Sequence, residues 1–399
     1  MSTAAPDEVV YLDHNATTPV APEVLEAMLP YLRTAYGNPS SDHALGRRAR
    51  QAVEEARASI AALIEAAASE VVFTSGGTES NNLAIRGVAA QALSARHRIV
   101  TSAVEHPATT APLSLLEASG WTIARVPVAA SGILDLDAGL GALGDDVALV
   151  TVMLAQNETG ALMPVAELAA AARAHGVVVH TDAAQAVGKI PVAVDDLGVD
   201  LLSIAAHKCY GPKGVGALYV RRGTPLSPLL VGASQEAGLR PGTENVAGIV
   251  GLGAAARLAI DHLASDAPRI AALRDELWAA LSTRVPGIGR HTPDGACLPN
   301  TLLASFPGVL GADVLARVPR LAASTGSACH AGEHTPNATL LAMGISPDVS
   351  LGAVRLSLGR GNTRDDVDAA VELLVGAHGA LVAASPSPTS PSTDKGTPR

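Results

Sequence analysis

Short apolar runs alternate with alanine-rich helical segments along the first two thirds of the chain. Helical segments such as Pro164–His175 lie between many of these runs. Such alternation predicts an α/β domain whose mainly parallel sheet is buried on both faces. Seven runs read as strands; they are Val71–Thr74, Arg98–Ser102, Thr122–Pro127, Ala148–Leu154, Val177–Thr181, Leu201–Ile204 and Gly216–Val220.

One long helix is predicted before the first of these strands, over His43–Ala66. Its apolar residues recur at the spacing of a single helical face. That face is predicted to consist of Leu45, Ala49, Val53, Ala56, Ile60 and Leu63.

The pattern changes around Ser265–Pro268, where a smaller α+β domain is predicted to begin. We assign residues 17–265 to the large domain, and residues 1–16 and 266–384 to the small domain. Residues 385–399 form a tail rich in proline and serine, which is predicted to be disordered because it cannot bury enough apolar surface. The predicted elements of the small domain are helices Pro268–Thr283, Ala312–Arg317 and Arg364–Ala384, and strands Asn300–Phe306 and Val354–Leu358.

Composition narrows the classes of function. The chain has 399 residues, 48% of them hydrophobic, and a formal net charge of -10. An acidic balance disfavours nucleic acid or an anionic membrane as the main partner, and the apolar runs are too short to span a bilayer. No secretory signal is predicted. Three cysteines without a CxxC pair predict neither a disulfide framework nor a metal site, and they fit a reducing, cytoplasmic compartment.

A glycine-containing turn, Ser75–Thr78, lies between a predicted strand and a predicted helix. Glycine lets the backbone approach a ligand, and free N–H groups at a helix start favour an anion such as phosphate. The alternative is an ordinary tight turn. The motif is neither G-x-G-x-x-G nor a Walker loop. The turn therefore lacks the sequence motifs that usually indicate binding of a nicotinamide dinucleotide or a nucleoside triphosphate.

Two ionisable residues follow neighbouring core strands. Asp182 ends the strand in VVVHTDAAQ, and Lys208 follows the strand in LLSIAAHK. Ligands gather at the carboxyl ends of such strands, so both side chains are expected to face one crevice. A lysine there can have a depressed pKa and form a Schiff base, and a carboxylate can pair with a pyridinium nitrogen. The alternatives are a helix-capping aspartate and a solvated surface lysine.

Three further residues are candidates for chemistry. His106 follows a strand end, where an imidazole could stack on a flat ring and move protons. Cys329 lies among small and polar residues with glycine on both sides, which predicts a mobile, nucleophilic thiol. Arg355 lies on a strand of the small domain and could bind an α-carboxylate in a bidentate way. Each residue also has a non-catalytic alternative. His106 could be an ordinary loop histidine, Cys329 a buried cysteine, and Arg355 part of a surface cross-strand pair.

Taken together and in order, these motifs resemble the cysteine desulfurases of the class V aminotransferase group. The resemblance rests on YLDHNATTP, GNPSS, TSGGTESNN, VEHPA, NETG, HTDAAQ, AHKCYGPKG, RPGTEN, SAC and VRLSLGR, and it covers the chain from about Val10 to Ala384. It implies a fold type I enzyme dependent on pyridoxal 5′-phosphate (PLP), with the cofactor in the large domain. It also implies a homodimer with sites near the subunit boundary.

The resemblance also implies a role for each matching residue. Lys208 would bind the cofactor covalently and move protons, Asp182 would pair with the pyridine nitrogen and Gln185 with the phenolate oxygen, while His106 would stack on the ring. Cys329 would attack the sulfur of L-cysteine and become a persulfide, leaving L-alanine. The remaining residues would bind phosphate (Gly77, Thr78 and His207, with Thr243 from the other subunit) or the substrate carboxylate (Asn157 and Arg355, with Asn38 nearby).

The choice of substrate stays open between two amino acids. The stretch CHAGEHTPNATLLAMG also resembles selenocysteine lyases, so L-selenocysteine is a second candidate substrate. Two further hypotheses are a different PLP reaction of the same group and a non-catalytic assembly protein. Ala205 stands where related enzymes commonly carry a phosphate-binding serine, a loss of about 1 kcal/mol if nothing replaces it. The sulfur acceptor is not identified, and an iron–sulfur scaffold, tRNA thiolation and cofactor synthesis all remain candidates.

Overall fold

The structure is a computed structural model that describes residues 9–325, 329–330 and 333–384. Residues 329, 330, 333 and 334 are described by their backbone alone. The predicted disordered tail lies outside the described residues. The strands are β1 (Val10–Tyr11), β2 (Val71–Thr74), β3 (Arg98–Ser102), β4 (Thr122–Val126), β5 (Val147–Thr151), β6 (Val178–Asp182), β7 (Leu201–Ala205), β8 (Gly216–Val220), β9 (Gly289–Arg290), β10 (Thr301–Ser305), β11 (Leu321–Ala322), β12 (Cys329–His330), β13 (Glu333–His334) and β14 (Ala353–Ser357).

Helices connect most of these strands, and a short 3-10 turn at Ala206–Lys208 follows β7. The α-helices are α1 (Pro22–Arg33), α2 (Ala44–Leu63), α3 (Gly77–Gln91), α4 (Pro107–Ala118), α5 (Leu136–Gly141), α6 (Val165–Ala174), α7 (Val194–Leu197), α8 (Val246–Arg284), α9 (Gly311–Ala316), α10 (Ala338–Ala342), α11 (Pro347–Leu351) and α12 (Arg364–Ala384).

A seven-stranded sheet organises the large part of the molecule, in the order β2-β8-β7-β6-β5-β3-β4. The strands from β7 to β4 are parallel, and β8 is antiparallel to both β7 and β2. The prediction of a mainly parallel sheet is therefore confirmed. Hydrophobic clusters cover both faces, which explains why β5 and β7 are buried along their whole length.

The second core lies around a three-stranded sheet in the order β14-β10-β9. The core is lined by the inward side chains of β10 and β14 and by α12, which buries Val367, Val371 and Leu374. The N-terminal strand β1 joins the same region by pairing with β11. A separate core of this kind is what the α+β prediction requires, although the assignment of residues 1–16 to this domain stays a prediction.

Helix α8 differs most from its prediction. A helix was expected to begin at Pro268, because proline is favoured in the first turn, but the helix runs unbroken over Val246–Arg284. Its first part packs in the large core and its second part in the small one, so tertiary packing on both sides outweighs the cost of an internal proline. The expected domain boundary after residue 265 falls inside this helix.

Two helices, α8 and α12, are long and apolar enough to cross a membrane by length and composition. Over half of the apolar window of α8 is buried inside the protein, and α12 packs against α8 and α9. We therefore interpret both as helices that cover the hydrophobic cores.

Helix α2 confirms its predicted apolar face with one exception. Ala49, Val53, Ala56 and Ile60 are buried and Leu63 is half-buried against the core, whereas Leu45 is exposed, so its place in the buried face was wrong. Leu45 lies in the first turn, which extends beyond the core that the rest of the helix covers.

Candidate active site

A cleft of about 650 Å³ opens at the carboxyl ends of β5, β6 and β7. The crevice lies close to the point where the strand order reverses, between β3 and β5, as expected for an open parallel sheet. It brings together eight of the residues predicted from the sequence. The lining residues are Gly77, Thr78, His106, Ala108, Met153, Ala155, Asn157, Asp182, Ala184, Gln185, Ala205, His207 and Lys208.

Two of the other predicted residues are exposed and do not line this cleft. Asn38 is exposed, and its Oδ1 accepts a hydrogen bond from the backbone N–H of Ser40. Thr243 is exposed in the loop that precedes α8. Neither reaches the cleft of its own chain, so any contribution from these residues requires another chain or a conformational change.

Lys208 lies in the turn after β7, with its amine inside the cleft. Its Nζ donates to the backbone oxygens of Asn15 at 2.6 Å and of Ala16 at 2.9 Å. Burial lowers the pKa of the Lys208 amine to about 8, helped by the positive charge of Arg355 and opposed by Asp182. A far larger fraction of this amine is therefore neutral, and nucleophilic, near neutral pH than for an ordinary lysine.

Asp182 ends β6, and its carboxylate is held by two donors. Its Oδ1 accepts from the backbone N–H of Ala184 at 3.0 Å, and its Oδ2 accepts from Asn81 Nδ2 at 2.6 Å. Asn81 is fully buried on α3. Sequence reasoning missed its role, because the contact joins residues about a hundred positions apart and only the packing of α3 on the sheet creates it.

The two predicted histidines are both biased towards their neutral form. His106 caps α4 by accepting the N–H of Ala108 at Nδ1, so the neutral ring carries its proton on Nε2. Desolvation lowers the pKa of His106; the negative charge of Asp182 opposes this effect, and the positive charge of Lys208 adds to it. Burial and the nearby Lys208 lower the pKa of His207 to about 4.

In the turn before α3, the backbone lies unusually close to the backbone of β8. Gly76 has φ of 147°, which favours glycine, and a Cβ on Gly216 would lie 2.7 Å from the Gly76 Cα. The helix then starts at Gly77 with unpaired N–H groups at the cleft. Ala205 packs beside Gly77 and lines the same cleft. The residue that replaces the serine common in related enzymes therefore lies at the expected phosphate site.

Arg355 is buried in the small sheet, at the edge of the cleft. Its Nη1 donates to Glu158 Oε1 at 2.9 Å and to the backbone oxygen of Asn157, and its Nη2 donates to Asp13 Oδ1 at 2.8 Å. Among the residues that the structure describes, Arg355 Nε is buried without a hydrogen-bond partner. Two carboxylates thus hold the guanidinium and leave this buried donor without a partner. Sequence reasoning had given no role to Asp13 or Glu158.

Glu105 is a further residue that sequence reasoning passed over, although it lies beside His106 in the VEHPA motif. Its carboxyl accepts from Ser102 Oγ at 2.5 Å and from the backbone N–H of Met153 at 3.0 Å. Burial raises the pKa of Glu105 to about 8. The contacts tie the end of β3 to the end of β5 and so hold His106 beside the cleft.

The backbone around Cys329 forms a short hairpin. Strand β12 pairs with β13 in antiparallel fashion, with Cys329 opposite His334. The expected glycine hinges, Gly326 and Gly332, fall outside the described residues, so the mobile loop stays a prediction. Upstream, Ser324 exchanges backbone hydrogen bonds with Arg355. The segment that leads to Cys329 therefore starts beside the cleft.

Among the described side chains, no group of three or more His, Cys, Asp or Glu residues is arranged to hold a metal ion. The cleft instead combines an amine, a carboxylate, two neutral imidazoles and a helix N-terminus. The fold and this donor set fit one class of protein, the α/β enzymes of fold type I that bind PLP.

Comparison with known proteins gives the family. The chain belongs to the aminotransferase class-V family, whose model matches residues 10–370. It is 45% identical to a cysteine desulfurase IscS of Dictyoglomus turgidum over 367 residues, 92% of this chain and 93% of that protein. It is 46% identical to a cysteine desulfurase of Enterobacter agglomerans, covering 91% of both chains.

Solved structures of similar proteins have the same fold as this chain. A NifS-like protein superposes with a TM-score of 0.87 at 36% identity, covering 94% of this chain and 99% of that one. SspA in complex with cysteine superposes with a TM-score of 0.77 at 35% identity, covering 87% of this chain and 98% of that one. The fold type I prediction is therefore confirmed.

Proposed function

We propose that this protein is a PLP-dependent cysteine desulfurase, which converts L-cysteine to L-alanine and passes the sulfur to Cys329 as a persulfide. The observation that carries the proposal is one cleft that contains both the Lys208 amine, with its pKa near 8, and the Asp182 carboxylate. Similarity to cysteine desulfurases along more than nine tenths of the chain supports the choice of substrate.

The residues of the cleft fit the cofactor. When bound, PLP supplies an aldehyde carbon that condenses with amines and a ring that accepts electrons from the substrate. Lys208 would hold the aldehyde carbon and Asp182 the pyridine nitrogen, and the N-terminus of α3 with Thr78 and His207 would hold the phosphate. The ring of His106 is exposed to the cleft, where it can stack on the cofactor.

Substrate binding is proposed to use the small domain as well. Arg355 Nε would donate to the α-carboxylate, and Asn157 would assist from the cleft wall. Because Asp13 and Glu158 already fix the guanidinium plane, little side-chain entropy remains to be lost when the substrate binds. Asn38 is proposed to approach this site only in the assembled dimer.

The sulfur-transfer step uses the Cys329 thiolate as the nucleophile. An S–S bond forms between Cys329 and the substrate sulfur, while the bond from Cβ to sulfur breaks and its electron pair leaves with the carbon. That carbon then takes up one proton to complete the methyl group of alanine, and Lys208 is placed to move a proton at Cα. Cys329 follows Ser324 by five positions, so the thiol segment can extend about 17 Å from its anchor beside Arg355.

The low pKa of Lys208 predicts a specific pH profile of amine reactivity. Only the neutral amine reacts, so acylation of Lys208 in cofactor-free protein should rise with pH up to about 8 and level off above it. A lysine in an unstructured peptide, added as an internal standard, should keep rising towards its ordinary pKa of about 10.4. Competitive labelling read by mass spectrometry measures both. A Lys208 profile that follows the standard would contradict a desolvated amine.

Replacing the thiol tests the proposed function itself. In Cys329→Ser we expect normal cofactor binding, but release of sulfide from L-cysteine below about a tenth of the original rate, because serine cannot form the persulfide. The measurements are the visible absorbance, alanine formation, sulfide release and the mass of the 329 peptide after incubation with cysteine. Cys209→Ser is the matched control, since that thiol is buried and its burial raises its pKa to about 12.

The same experiment separates the competing hypotheses on function. Unchanged sulfide release in Cys329→Ser would mean that the thiol is dispensable, as in a different PLP reaction. Cleavage of selenocysteine alone, without alanine from cysteine, would identify a selenocysteine lyase. A protein that stays colourless with added PLP would support a non-catalytic role.

The assembly is proposed to be a homodimer located in the cytoplasm. Large apolar side chains are exposed along α1 and in two loops, and Thr243 lies outside the cleft of its own chain, which suits a contribution to the partner's phosphate site. The exposed side chains include Leu25, Leu32, Tyr36, Leu230 and Val231. The persulfide would be delivered to a sulfur-acceptor protein, for which an iron–sulfur scaffold is one candidate.

A further inference from the structure

A second lysine, Lys189, lies behind the cleft and takes no part in the chemistry proposed above. It faces a small cavity between the two cores, together with His14, Cys209 and Asn300. Burial lowers the pKa of Lys189 well below its ordinary value, with further lowering by Lys208 and Arg355. Burying an amine costs free energy unless it is hydrogen-bonded, so Lys189 is expected to have specific hydrogen-bond partners.

Those partners are two side-chain oxygens. Lys189 Nζ donates to Gln185 Oε1 at 2.7 Å and to Asn15 Oδ1 at 2.8 Å. Gln185 precedes Lys189 by four residues, and Asn15 comes from the N-terminal segment. Two acceptors require two N–H bonds, which the amine has in its charged and in its neutral form, so the arrangement does not depend on its protonation.

The contact decides which end of the Gln185 amide faces the cleft. Because an N–H of Lys189 points at Oε1, the NH₂ group of Gln185 must lie on the opposite side, where it donates to the backbone oxygen of Asn15 at 2.9 Å. An amide NH₂ has two hydrogens. Gln185 lines the cleft, so the second hydrogen remains for a ligand acceptor.

We propose that Lys189 is a positioning residue that acts through Gln185, orienting its amide so that an N–H faces the anionic ring oxygen of the cofactor. The inference rests on the proposed function, because it needs PLP in this cleft. Asn15 completes the unit, since its backbone oxygen accepts from both Gln185 and Lys208. Lys189, Gln185, Asn15 and Lys208 therefore form one connected network of hydrogen bonds.

The test is the pH midpoint of the visible absorbance of the PLP-bound protein. A donor to the ring oxygen favours its negative charge and disfavours the proton that it shares with the neighbouring nitrogen. Lys189→Met should therefore raise the midpoint by about half a pH unit or more, since hydrogen bonds to charged groups contribute at this level. Lys213→Met, at an exposed lysine of the same region, should leave the midpoint unchanged.

A double-mutant cycle distinguishes positioning from general damage. Gln185→Ala alone should raise the midpoint, and adding Lys189→Met in that background should change it no further, because the two residues act in series. Additive shifts, or an unshifted midpoint in Lys189→Met, would overturn the proposal. If no variant or original protein develops the absorbance, the proposed function fails instead.

A second measurement covers the case in which Lys189→Met does not fold. In cofactor-free protein, acylation of Lys189 should be faster in Gln185→Ala than in the original chain, because the amine loses one of its two acceptors. Equal rates would show that the contact with Gln185 does not hold the amine, and the proposal would be rejected. Labelling of Lys213 serves as the internal reference.

Discussion

Replacing Lys208 by alanine is expected to lower alanine formation from L-cysteine by about a thousandfold or more, the range typical of lost proton-transfer catalysts. The amine is the only group within the described cleft whose pKa lies near 8 and whose atom can form an imine. Its loss would remove both the covalent hold on the cofactor and the proton carrier at Cα. Alanine formation under saturating PLP and cysteine is the measurement.

The matched control for this change is Lys213→Ala, five residues further along the same segment, where the side chain is exposed. It should leave the rate within a factor of about two, because it lies outside the cleft. Added small primary amines should restore part of the activity of Lys208→Ala, since they can supply the missing base. A fully active Lys208→Ala enzyme would rule out the proposed mechanism.

Replacing Glu236 by alanine is expected to lower the free energy of unfolding by about 3–5 kcal/mol. Glu236 and Arg57 form a bidentate ion pair, with both Oε–Nη distances at 2.8 Å, and only 3% of the Glu236 side chain is exposed. Glu236 Oε2 also accepts the backbone N–H of Phe73, on the edge strand β2. Removing the carboxylate would leave the buried guanidinium without its bidentate partner, with only Glu54 at Nε and the backbone oxygen of Val71 still in contact.

The same ion pair holds the loop that carries Thr243. Glu236 and Ala237 have φ values of 48° and 55°, a conformation that costs non-glycine residues about 1 kcal/mol or more each. The contact with Arg57 offsets this strain. We therefore expect Glu236→Ala to weaken PLP binding as well, if Thr243 contributes to the partner's phosphate site as proposed.

Urea unfolding of cofactor-free protein measures the stability effect. Trp121 packs against the large sheet and Trp278 against the small core, so a Trp278→Phe background makes tryptophan fluorescence report on the large core. The double change Arg57→Met with Glu236→Leu should recover much of the loss, because no charge is then left unpaired. A loss below about 1 kcal/mol in Glu236→Ala would show that water reaches the ion pair.

The fold was largely predictable where the local pattern and the tertiary packing agree. Strands β2, β3 and β8 have the predicted bounds, and the other sheet strands differ by a few residues at their ends. The sequence did not predict that α8 runs as one continuous helix through Pro268. Its helical segments meet two separate cores, and no local signal at Pro268 reveals that both cores lie along one axis.

The candidate site likewise contains some residues that the sequence predicts and others that it does not. Residues that follow strand ends, such as Asp182 and Lys208, could be placed in one crevice because all parallel strands end at the same edge. Residues that act through a long-range contact, such as Asn81 and Glu158, had no sequence signal of their own. Their partners lie on other elements, so only the packed structure joins them.

By itself, the sequence determined the class of fold, the candidate for the cofactor amine and the set of motifs around it, because strand ends and short motifs are local properties of the chain. The tertiary structure alone decided which polar groups are desolvated and which partners hold them. Burial and proximity depend on segments far apart in sequence, and they lower the pKa of Lys208, orient Gln185 and fix Arg355 between two carboxylates.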